Sequence, residues 1–196
     1  MTRLLPWAVD ESGRREIEQA LKVLTLGRRV TSWQCLYPKA WGFHAETQHA
    51  GFDIADLELA LHMEDTTWLS LSWLTEGFQQ GLVINTGVGI ESIPRDDQTA
   101  RDLLGPLTDR VPHGTSIENI AVAWHQKDTA LPQALWSIRF AFENGRSIVA
   151  ALGGVDDEGK GLMYHPHSIA VIYDEALART YGTETDSVEP AWGHEV

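Results

Sequence analysis

The stretch Trp136-Ser137-Ile138-Arg139-Phe140-Ala141-Phe142-Glu143-Asn144-Gly145-Arg146-Ser147-Ile148-Val149-Ala150-Ala151-Leu152 decides the fold class. Trp136, Ile138, Phe140 and Phe142 recur at every second position, with Ser137, Arg139 and Ala141 between them, which is the period of a strand with one buried face. Asn144-Gly145 then supplies two residues that tolerate the positive φ of a type I′ turn, and an apolar run returns from Ser147 to Leu152. The segment predicts a β-hairpin.

A second hairpin lies upstream. Leu57, Leu59, Leu61 and Met63 share one face and Glu58, Ala60 and His62 the other; after Glu64-Asp65-Thr66-Thr67, Leu69, Leu71 and Trp73 alternate with Trp68, Ser70 and Ser72. Each hairpin is preceded by a strand candidate, containing Trp33-Gln34 or Trp124-His125, and followed by a Gly-Leu pair and another strand-like run. Ile17, Leu21 and Leu24 form the apolar stripe of a helix. A second helix is expected over roughly 96–104, where Asp96 and Asp97 suit the positive end of the dipole and Gly105 offers a cap. A last helix is expected from about Glu175 to Tyr181, capped by Asp174 and ended by Gly182.

These elements predict an α+β fold: mostly antiparallel sheet with packed helices and an internal repeat of a helix-strand-hairpin-strand unit. Two similar hairpins also arise by chance in antiparallel proteins. One globular domain is expected over 1–182, made of halves at about 10–90 and 95–182, followed by a flexible acidic tail over 183–196 that contains no Lys or Arg. The segment from Tyr37 to Phe52 reads as an irregular insertion, a place where function often resides.

The chain has 196 residues, long enough to bury roughly 70% of its unfolded surface without metal or disulfide staples. Its one cysteine, Cys35, excludes the disulfide-stapled secreted class and suits a reducing compartment. The opening residues hold only a short apolar patch broken by Pro6, so no export signal is read and the cytoplasm is expected. No apolar run approaches the roughly 18 residues of a membrane span, which argues against a membrane partner. Fifteen basic against 28 acidic side chains give a net charge of −13, which repels phosphate and argues against nucleic acid. The same field favours a basic protein partner.

His165-Pro166-His167 carries the most chemical pattern, because residues two apart on an extended chain point to one side and can chelate a metal together. With Gly159 six positions before His165 it resembles the first motif of cupins. Val171 and Ile172 occupy the places of that family's Glu, and its second motif is missing, so no cupin residue roles are carried over. Gly87-Val88-Gly89 lacks the third glycine of a dinucleotide loop. No nucleophile elbow, Walker lysine, His-Glu-x-x-His or Cys-x-x-Cys is present, and no cofactor is implied.

Asp156-Asp157-Glu158 reads as an acidic loop tip available to a Lys or Arg of a partner. The eight tryptophans fall on both faces of the strands: Trp73 and Trp136 with the aliphatic faces, Trp68, Trp33 and Trp124 on the opposite ones. If both faces are covered, all are core; if one is open, Trp68 and Trp124 offer aromatic surface beside acidic groups.

The function expected is therefore a non-enzymatic acidic partner-binding protein, such as an inhibitor or immunity-type module for a basic protein, acting through Asp156, Asp157, Glu158, Trp68 and Trp124. One alternative is a small-ligand or metal-binding enzyme using His165 and His167. Another is a structural subunit whose open sheet face closes a homodimer.

Overall fold

The computed structural model describes residues 2–38, 50–88, 98–102, 112–126, 128, 130–182 and 189–196. Along the chain run β1 (Thr2–Leu4), β2 (Trp7–Ala8), α1 (Glu11–Thr25), β3 (Arg29–Pro38), β4 (Phe52–Ala55), β5 (Glu58–Met63), β6 (Thr67–Glu76), β7 (Gln79–Val88) and β8 (Gln98–Asp102). They are followed by β9 (Thr115–His125), β10 (Gln133–Phe142), β11 (Ser147–Leu152), β12 (Gly154–Val155), β13 (Leu162–Met163), β14 (Ile169–Ile172), α2 (Glu175–Thr180) and β15 (His194–Glu195).

Both alternating stretches are hairpins. β5 pairs antiparallel with β6 from Glu58↔Ser72 to His62↔Trp68, and β10 with β11 from Ser137↔Ala151 to Ala141↔Ser147. Gly145 holds φ +78° in the second turn, where the backbone N–H of Phe142 donates to the carbonyl of Arg146 at 2.9 Å. Neighbouring strands extend each hairpin into one sheet with the order β1-β7-β6-β5-β3-β9-β10-β11-β14-β4. β2, β8 and β15 join it from the side, making thirteen strands, while β12 and β13 form a separate ribbon.

The halves of the sheet meet at a short seam, Arg29↔Ser116 and Val30↔Thr115. Their apolar faces share one core, in which the Trp33 ring meets Phe140 and Phe142 edge-on, with centroids 6.1 and 6.2 Å apart. A register shift between Val30 and Ser32 accompanies this placement. A one-residue slip reverses the faces of a strand, so Trp33 and Cys35 turn inward, where plain alternation puts Trp33 on the opposite face. Trp33 still satisfies its indole N–H, on the carbonyl of Pro112 at 2.8 Å.

The helix ends follow local chemistry. The Asp10 carboxylate accepts from the Gly13 N–H at the start of α1, and Asp174 accepts from the Leu177 N–H at the start of α2. The helix expected over 96–104 is not formed at its described residues: 98–102 make β8, whose backbone pairs with Gln34–Pro38 along the edge of β3. An open strand edge holds a row of unmet hydrogen-bond groups, and meeting them outweighs a weak helix preference. The fold is thus mostly antiparallel sheet. It is not the expected α+β arrangement with packed helices, and among the described residues the helix-strand-hairpin-strand unit does not recur. Among the described residues, no helix is long and apolar enough to cross a membrane.

Of the acidic C-terminal stretch, residues 189–196 are described and they are packed. Ala191 is buried, and its carbonyl accepts from Ser137 Oγ at 2.6 Å. Trp192 lies between the guanidinium groups of Arg139 and Arg179, 4.3 and 4.1 Å from its ring centroid. His194 and Glu195 pair with Val122 and Ala121 on β9.

Candidate functional site

The acidic loop tip joins β12 to β13. The Asp156 carboxylate accepts from the backbone N–H groups of Lys160 (2.9 Å), Gly161 (2.8 Å) and Glu158 (3.1 Å). These bonds, that from Lys160 foremost, hold its carboxyl below the usual carboxylate range. Asp156 therefore fastens the loop, while Asp157 and Glu158 stay exposed. Lys160 reaches Glu158 at 3.4 Å, but both side chains are about three-quarters exposed, and such a pair contributes little. Val155 and Met163 at the hairpin base are exposed apolar side chains.

The base of this hairpin touches the expected histidines. A Cβ on Gly154 would lie 3.0 Å from the Cβ of His165, so the two segments are in close contact. His165 Nδ1 is 2.8 Å from Ser168 Oγ, and its ring stands nearly perpendicular to that of His167, 5.9 Å away. His167 leans on Trp73 with centroids 4.9 Å apart. The Trp73 indole N–H donates to the backbone carbonyl of Asp56 at 2.9 Å.

Asp56 is only partly exposed, and burial pushes its carboxyl up. Neighbouring Asp53 acts in the same direction and His165 against it. Four segments thus meet in one corner: β4 with Asp53, the residues after it with Asp56, the end of β6 with Trp73, and the turn before β14 with His165 and His167. Beneath them Tyr164 donates to Gln80 Oε1 at 3.1 Å, its phenol pushed up to about 12 by burial. His125 Nε2 lies 2.6 Å from the Gln80 carbonyl.

Among the described residues, no group of three His, Cys, Asp or Glu side chains could hold a metal ion. His44 and His49 lie outside the described residues. Trp68 and Trp124 do not form an aromatic surface. Trp68 is 6% exposed, its ring laid across Gly87, where a Cβ would sit 2.5 Å from Cζ2. Trp124 is 3% exposed because α1 and residues 189–196 cover its side of β9. Its indole N–H donates to Glu18 at 3.2 Å, its backbone N–H donates to Glu189 at 3.1 Å, and Arg14 lies 5.4 Å over its ring.

The partly exposed tryptophan at the corner is Trp73, which the alternation assigned to the core face. Its place at the far end of β6, where the strand runs out of the core, is the one sequence signal that could have marked it. No family model, curated protein or solved structure matches the chain.

Proposed function

We propose that this chain is a non-enzymatic binding protein of the reducing cytoplasm that takes up a basic protein at the acidic corner, as an inhibitor or immunity-type module does. The observation that supports this most is the construction of the β12–β13 tip. One carboxylate, Asp156, is spent on three backbone bonds, so Asp157 and Glu158 are presented from a fixed loop. Exposed Val155 and Met163 flank them, and acid beside apolar surface suits a protein partner better than a small ion. The net charge of −13 steers a cationic protein toward such a surface and speeds encounter.

The test is capture from the native lysate on the wild-type chain and on a D157K/E158K variant in parallel, at low and high salt. A basic protein should be retained by the wild type, released by salt, and lost from the charge-reversed chain. Equal retention of the same protein by both chains would sink the proposal.

A further inference from the structure

Resting on that reading, we infer that the corner seats one arginine side chain of the basic partner, with its guanidinium between the Trp73 indole and the Asp56 carboxylate. Trp73 is fixed through its N–H to the Asp56 carbonyl, which sets indole and carboxylate on the same few atoms of backbone. Trp73 is partly exposed, and an indole face is the best aromatic surface for a cation.

Asp56 is partly withdrawn from water with a second acid, Asp53, nearby, and no Lys or Arg pairs with it among the described residues. A carboxylate kept from water, with His165 beside it and no Lys or Arg on it among the described residues, is an arrangement that an incoming cation relieves. His167 adds a flat ring against the indole, and His165 stands at nearly a right angle to His167. A flat, delocalised guanidinium can stack on such rings and present its fork to a carboxylate together, which a compact ammonium cannot.

The probe is N-acetyl-arginine amide, titrated into the full-length ¹⁵N-labelled chain while the Trp73 indole N–H resonance, assigned with Trp73→Phe, is followed. N-acetyl-citrulline amide, of the same shape without the charge, is the control. A saturable shift is expected with a Kd on the order of 10 mM, weakened about fivefold or more for citrulline and for the arginine probe on Asp56→Asn. Equal shifts for the two probes, or an unchanged arginine titration in Asp56→Asn, would overturn the arginine seat. If Asp56→Asn also retains the captured partner as the wild type does while D157K/E158K loses it, the seat falls and partner binding at the tip stands.

Discussion

Asp56 holds its charge against its surroundings. Burial raises its pKa first and Asp53 adds to it, so the folded chain keeps that proton to higher pH than the unfolded chain, whose aspartates titrate near 3.9. Between those two pKa values the folded state binds more protons than the unfolded one. The ionised carboxyl therefore costs stability progressively as pH rises through that window, and the full cost persists above it. Asp56→Asn removes the cost. Urea unfolding should find this variant more stable than the wild type at about pH 7, with the advantage gone at about pH 3. An advantage of the same size at both would show that the ionised carboxyl is not its source. A residue that costs stability in the folded chain fits the trade-off between stability and function. His165-Pro166-His167 was legible because the pattern is local. Asp56 was not, since nothing near it states that the residues after β4 lie beside His165.

Single elements show where local rules hold and where they yield. α1 was legible from an apolar stripe and α2 from a capping aspartate, each written within a few residues. β8 was not: Asp96, Asp97 and Gly105 read as helix ends, yet the edge of β3 takes 98–102 as a strand. The C-terminal segment makes the same point in reverse. Acidic and without Lys or Arg, it read as loose. Its described part is held by Trp192 between Arg179 and the distant Arg139, and by Glu189 on Trp124, and the last two partners lie more than fifty residues away. Gly193 permits the approach: its φ is +66°, and a Cβ there would run into the backbone of Val122. Gly193→Ala should lift the segment from β9 and destabilise the chain by about 2 kcal/mol. Amide exchange over 119–124 should quicken with it; exchange at the wild-type rate would mean the segment tolerates the methyl group.

At the scale of the whole molecule, alternation told which faces are apolar but not how the two runs of strands meet. The Arg29–Val30 seam with Thr115–Ser116 is a contact between residues about eighty-five apart, and no short pattern records it. β4 is less legible still. It lies in sequence between β3 and β5 of the first half but pairs with β14, Phe52↔Ile172 through Ala55↔Ile169, at the far edge of the second. The charge of −13 belongs to this scale too, because steering acts through the summed field and not through one patch.

The crossing of β4 makes the two runs of strands mutually incomplete, like two hands with fingers interlaced. A cut placed between Val88 and Pro112 severs the chain but neither the β4–β14 pairing nor the β3–β9 seam. The nicked protein should therefore elute from gel filtration as one particle and come apart only when denatured, and two separate peaks in native buffer would contradict the interlacing. A chain joined in this way can be broken in the middle and still be one molecule.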